Sequence, residues 1–164
     1  MVNVGDKPDT QRTAIASGSM ILGKNAFEAV KTGNSHKGDV LGVARLAAIM
    51  GAKRTSELVP LCHPVTLSHV SVGFELKEAR PASVAHADQP HASVTISDKV
   101  FEIVCTCTVQ TTGKTGVEME ALTGVQIGLL TLYDMLKAID KNMVMHHIRL
   151  IKKTGGKTDF ATCD

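Results

Sequence analysis

An α+β domain, with one antiparallel sheet covered on one face by helices, is the fold class this sequence predicts, on three observations. The stretch VSVGFELK at 70–77 and the longer run 100–111 alternate apolar and polar residues, which marks strands with one covered side. Residues 40–54 and 117–142 carry apolar residues at helical spacing instead, as amphipathic helices do. The chain has 164 residues, 43% of them hydrophobic and 21% charged, and only five prolines. That is a folding composition, and a chain of this length buries roughly 70% of its extended surface in one core.

In chain order, Thr13–Leu22 is read as a first strand and Asn25–Val30 as a short helix. KTGNSHKG, 31–38, sets glycines and small polar groups among three cationic positions, the composition of a mobile loop. Asp39 then caps a helix through VLGVARLAAIMGAKR, whose Val40, Ala44, Ala47, Ala48 and Gly51 form a small-residue face for close packing. It ends before Pro60. In the next strand Val70, Val72, Phe74 and Leu76 point one way. Residues 79–91 hold Pro81, Asp88 and Pro90 and form a turn-rich connection. An extra short hairpin strand near 93–97 turns at Asp98-Lys99 into the long strand 100–111, where Phe101, Ile103, Cys105, Cys107 and Val109 share a face. Thr115-Gly116-Val117-Glu118 fits a capping box opening a helix to about Asn142, and 144–151 is the final strand.

With the minor hairpin set aside, this order is close to a ferredoxin-like split arrangement. One sheet face is expected to stay partly apolar, a surface that another copy of the chain would hide.

Several function classes drop out on composition. With aromatic residues at 3%, no Trp and one Tyr, a platform that stacks nucleic-acid bases is not expected. The formal charge of +2 is too small for a general polyanion surface, although local basic loops suit a small phosphorylated molecule. A basic leader with a long apolar run is lacking, and so is a span of about 18 uninterrupted apolar residues; the expectation is a cytoplasmic protein without a membrane segment. Cys62, Cys105, Cys107 and Cys163 contain no C-x-x-C pair, and reduced thiols are expected.

Three constellations carry candidate chemistry. At ~100° per residue, Glu120, Thr131, Asp134, Lys137 and Lys141 occupy one sector of the long helix, yet Glu120 and Asp134 stand about 21 Å apart along its axis. The helix alone therefore offers at most two separate polar sites. Plainer readings stand beside these: Glu118 as a capping carboxylate, Lys137 and Lys141 as cations at a negative helix end, and Asp134 with Lys137 as a surface ion pair. The second constellation is LVPLCHPVTLSH, 58–69, where His63 sits between Cys62 and Pro64 in a short loop. His63 is either a pocket group or a structural polar histidine. Zinc on Cys62, His63 and His69 is not expected, because neighbouring side chains point apart and a fourth ligand is missing. A Cys-His nucleophile pair is equally unsupported by adjacency alone. The third comprises HKGD at 36–39 and KKTGGK at 152–157, whose glycines let amides approach an anion while Lys37, Lys153 and Lys157 add charge. Neither has the Walker A order, and a solvated turn is the plain alternative for each.

KGDVLGVARLAAIMGAKRTSELVPLCHP at 37–64, TTGKTGVEMEALTGV at 111–125, YDMLKAIDK at 133–141 and KTGGK at 153–157 together resemble the molybdenum cofactor biosynthesis protein C family, the cyclic pyranopterin monophosphate synthases. The resemblance begins near Lys7 and runs close to the C-terminus. It implies a ferredoxin-like subunit, a homo-hexamer built as a trimer of dimers, and sites at subunit boundaries. It also implies a lyase that turns a GTP-derived cyclic nucleotide, (8S)-3′,8-cyclo-7,8-dihydroguanosine 5′-triphosphate, into cyclic pyranopterin monophosphate and diphosphate; no cofactor and no resident metal are expected. Residue by residue it implies catalytic Lys37, Asp134 and Lys137. Substrate contacts fall to Leu61, Cys62 and His63, to Met119 and Glu120, and on the phosphate side to Lys153 and Lys157. Lys53 and Arg54 fall in a family-like AKRTSE segment without a firm role. Residues 1–164 are read as one catalytic domain with mobile segments at the N-terminus, at 31–38 and at the C-terminus. Val65-Thr66 after His-Pro and KTGGKTDF in the tail depart from the usual pattern, leaving loop shape beside His63 and hydroxyl contacts in the tail open. A non-catalytic module binding a phosphorylated nucleotide is the competing reading.

Overall fold

A computed structural model of the protein describes residues 1–79 and 99–162. Among them run β1 Thr10–Leu22, α1 Lys24–Thr32, α2 Val40–Lys53, α3 Thr55–Leu58, β2 His69–Ala79, β3 Val100–Gly113, α4 Glu118–Leu136, β4 Val144–Thr154 and β5 Phe160–Ala161. The sheet has the order β2-β3-β1-β4-β5 with every described neighbour pair antiparallel. Its first four strands make the two interleaved β-α-β halves of a ferredoxin-like fold. α1 to α3 lie in the first crossover and α4 in the second.

The alternation read in the sequence decides which face the helices cover. Phe101, Ile103, Cys105, Cys107 and Val109 are all buried, and from β1 Ala14, Ala16 and Met20 join them on the same side. Small residues in β1 let α4 approach closely. At Gly18 a Cβ would fall 2.8 Å from both Val125 Cγ1 and Ile148 Cγ1, nearer than atoms pack without displacement. The same device joins α2 to α4, where a Cβ at Gly51 would meet Ile127 Cγ1 at 2.7 Å, and α4 to β3, where one at Gly124 would meet Cys107 Sγ at 2.7 Å. Phe27 packs on Phe101 with ring centroids 5.0 Å apart, and Leu129, Leu132 and Leu136 of α4 are fully buried. Each such side chain contributes about 1.5–3 kcal/mol relative to exposure.

Asp39 caps α2 as the sequence predicts, its Oδ1 accepting from the Gly42 amide at 2.9 Å. Two expectations about α4 are corrected. The helix starts after Val117, without a side-chain cap, so Thr115 makes no capping box, and Glu118 turns outward to Lys153 instead. It also ends at Leu136, short of Asn142. Asp140 explains the early stop: its carboxylate accepts from the Gly23 amide at 2.7 Å and from the Asn142 amide at 2.8 Å, tertiary contacts that a continuing helix would forfeit. The short strand expected at 93–97 lies outside the described residues. α3 and β5 were not anticipated; each is only a turn or a two-residue pairing. No helix among the described residues is long and apolar enough to cross a membrane.

Candidate active site

The C-terminal end of α4 gathers the three groups expected to carry acid–base chemistry. The loop leading to α2 is bracketed by Gly33 at φ 72° and Gly38 at φ 84°, left-handed positions that suit glycine. Between them Lys37 reaches across to α4. Its Nζ donates to Asp134 Oδ2 at 2.8 Å and to the Asp134 carbonyl at 2.8 Å, while Lys137 Nζ donates to Asp134 Oδ1 at 2.6 Å. The surface ion pair considered from spacing alone is therefore present, enlarged by a third member from a distant loop. All three side chains are exposed. Hydrogen bonds from Lys137 and then Lys37 hold the Asp134 carboxyl down at about 2. The same contact raises Lys137, the reverse of the lowering by burial that a lysine base requires. Lys141 lies beyond the helix end, and its carbonyl accepts from the Tyr133 hydroxyl at 3.1 Å.

The N-terminal end of α4 is concave. Leu61, Cys62, His63 and Val65, from the segment between α3 and β2, face Thr115, Gly116, Glu118, Met119 and Glu120 across a cleft of about 320 Å³. A hydrogen bond from Thr111 Oγ1 to the Thr66 carbonyl at 2.6 Å and one from the Ser68 amide to the Gln110 carbonyl at 2.9 Å pin the segment to β3. Thr66 is therefore held in place by the sheet. Leu61 is 71% exposed and Glu120 only 4%, so the cleft has a soft rim and a buried acid. Desolvation pushes the Glu120 carboxyl up, with Glu118 adding to it. Desolvation, followed by the charge of Glu120, raises the Cys62 thiol.

A second cleft of about 270 Å³ shares the Thr115, Gly116 and Glu118 wall. Lys153 and Lys157 line it, and Lys153 Nζ lies 3.2 Å from Glu118 Oε1. Lys7, Arg12 and Lys114 line it too, and sequence reasoning missed them. Arg12 left a signal: it falls on the inward phase of β1 with Ala14 and Ala16, where a charge calls for a reason. Lys53 and Arg54 are exposed at the end of α2 and line neither cleft. Among the described residues no three of His, Cys, Asp and Glu gather to hold a metal ion.

A ferredoxin-like domain with a mixed-polarity cleft, an adjoining cationic cleft and a Lys-Asp-Lys ion group fits an enzyme that handles small anionic molecules. The family model described as MoaC family matches residues 1–156, and the chain belongs to that family. It is 49% identical over 158 residues, 96% of this chain and 87% of the relative, to a protein of Natranaerobius thermophilus described as cyclic pyranopterin monophosphate synthase. The chain is accordingly a lyase of molybdenum cofactor biosynthesis.

Proposed function

We propose that the chain converts (8S)-3′,8-cyclo-7,8-dihydroguanosine 5′-triphosphate into cyclic pyranopterin monophosphate and diphosphate. The observation that carries this reading is the shared wall between the two clefts, which sets a compartment for a polar heterocycle beside one for phosphates. Leu61, Cys62, His63, Met119 and Glu120 take the heterocycle. Lys153 and Lys157 take the phosphate side. A ribose-derived hydroxyl attacks the phosphorus nearest the sugar, forming the new P–O bond as the bond to the departing diphosphate breaks, and the hydroxyl proton passes to a base of the site. Lys37 and Lys137 enter as cations, because Asp134 holds both; they serve as proton donors or as partners of the developing charge. Glu120, with its raised carboxyl, and His63 exchange protons with the heterocycle.

Asp134 and Glu120 stand about 21 Å apart along α4 at ~1.5 Å per residue, so in this reading a second chain brings its Lys37, Asp134 and Lys137 to the clefts of the first. The assembly is a homo-hexamer, a trimer of dimers. Support comes from an outward apolar stripe on α2, where Val43, Leu46 and Met50 are 44%, 61% and 47% exposed. The sheet, the surface expected to call for a partner, also keeps Val144 and Met145 of β4 exposed. In this reading the chain acts as one catalytic domain. The unpaired thiols Cys62, Cys105 and Cys107 suit the reducing cytoplasm, where we place the enzyme.

Incubation with the cyclised GTP derivative, followed by mass detection of both products, tests the reaction. The parent forms both, and Lys137→Ala, with unchanged circular dichroism and assembly, loses turnover by on the order of 10²-fold or more. Ligand binding by the parent without either product overturns the catalytic reading and leaves the binding-module alternative.

A further inference from the structure

The buried phase of β3 runs Phe101, Ile103, Cys105, Cys107, Val109 and then Thr111, which is 1% exposed. An apolar row thus ends on a hydroxyl. Burying a hydroxyl costs free energy unless it is hydrogen-bonded, and valine has nearly the same shape without that cost, so packing alone does not call for threonine. Thr111 Oγ1 donates to the Thr66 carbonyl at 2.6 Å. Thr66 belongs to the connection between α3 and β2 that carries Leu61, Cys62 and His63. Among the described residues this is the one hydrogen bond that ties 63–67 to another part of the chain. Around it, the Ser68 amide donates to the Gln110 carbonyl at 2.9 Å, and Val65 and Leu67 pack on the core.

The tie is close to both walls of the cleft. Thr66 follows His63 by three residues, and Pro64 between them has its φ fixed near about −65°, which also restricts His63 before it. Anchoring Thr66 therefore leaves His63 little backbone freedom. On the other side the Cys62 amide donates to the Val59 carbonyl at 3.0 Å. Thr111 itself stands four residues before Thr115, and the chain from Thr115 to Glu120 contributes the opposite wall of the same cleft of about 320 Å³. One hydroxyl thus couples the wall bearing His63 to the strand that leads into the wall bearing Glu120. We propose that Thr111 is a positioning residue for the reaction: without lining the cleft, its hydroxyl sets where His63 stands opposite Glu120. The inference rests on the reading above that both groups exchange protons with the heterocycle.

Two substitutions separate the hydroxyl from the shape. Thr111→Val keeps the volume and removes the donor; Thr111→Ser keeps the donor and loses a methyl. Turnover of the cyclised GTP derivative is measured on the assembled full chain, well below the denaturation midpoint of each variant, together with amide hydrogen exchange by mass spectrometry. In Thr111→Val, kcat falls by about tenfold or more, as a small displacement of a reacting group produces, and KM changes less. Thr111→Ser, which keeps the hydrogen bond, stays within about threefold of the parent. In Thr111→Val the amides of 59–68 exchange about tenfold faster, the scale of one lost hydrogen bond, while those of 125–136 in α4 keep parental rates. A general loss of stability would speed both segments together. Thr111→Ala compared with Thr111→Ser differs by the hydroxyl alone and reads the same contrast if Thr111→Val does not fold. The proposal is overturned if Thr111→Val keeps parental kcat, if Thr111→Ser loses as much kcat as Thr111→Val, or if Thr111→Val quickens α4 as much as 59–68. A parent that forms no product, with 59–68 alone loosened in Thr111→Val, supports the tie and counts against the proposed reaction alone. Parental turnover that Thr111→Val leaves unaltered counts against the positioning role alone.

Discussion

The two ends of α4 hold carboxylates under opposite physical control. At the N-terminal end Glu120 is 4% exposed, and desolvation raises its carboxyl. At the C-terminal end Asp134 has a side chain 54% exposed, and two lysine hydrogen bonds lower its carboxyl to about 2. Concavity goes with the first end: neither described cleft is lined by Lys37, Asp134 or Lys137. One end offers a compartment with a buried acid, and the other offers charge without a compartment. The difference teaches that folding a single chain leaves the two groups of candidate residues apart, and on the proposed reading a second chain brings them together.

The strongest way to break this comparison is complementation. His63→Ala removes a group from the cleft end and Lys137→Ala one from the ionic end, and each alone is expected to lower turnover by on the order of 10²-fold. Refolded together, the two variants regain turnover, because some sites then draw both intact ends from different chains. A mixture no more active than the two samples assayed separately would mean that each chain works alone.

A substitution between the ends sharpens the comparison. Gly18→Ala drives a methyl into Val125 and Ile148 and lowers stability by about 1–3 kcal/mol, read as a shifted denaturation midpoint, while leaving both groups of site residues unaltered in sequence. An unchanged midpoint would show that α4 and β4 yield at that contact without cost.

The smallest effect is a titration. Because the Asp134 carboxyl is lowered, its contacts with the lysines persist above the ordinary carboxylate range and fade only as pH falls toward about 2. Carbon NMR at about pH 3, below the ordinary value of about 3.9, finds the parent carboxyl still ionised and that of Lys137→Ala substantially protonated. Equal protonation in both chains would remove Lys137 as the main cause.

Much of the fold was legible because local chemistry and tertiary packing agree. Phe101 to Val109 alternate in sequence and are buried in the same phase, and Asp39 caps α2 through a contact three residues away. What failed depended on partners far along the chain. Glu118 reads as a cap until Lys153, thirty-five positions later, claims it, and α4 seems to continue until Asp140 turns to Gly23. The candidate site divides the same way. Motif resemblance named Lys37, Asp134 and Lys137, but the angular argument placed only the latter two on one helix; the Lys37 loop supplied the third member. Arg12 and Lys7 line the cationic cleft without belonging to any motif.

α4 also acts as a ruler. Its nineteen residues separate the two groups of candidate residues by a fixed length and a fixed angle, and a helix cannot change one without the other. Deleting one residue midway would turn everything beyond by about 100° and draw it in by about 1.5 Å, carrying Asp134 off its meeting point with Lys37 while the cleft stayed whole. Loops in this chain can lengthen or shorten and leave that spacing alone; the interior of α4 has no such freedom.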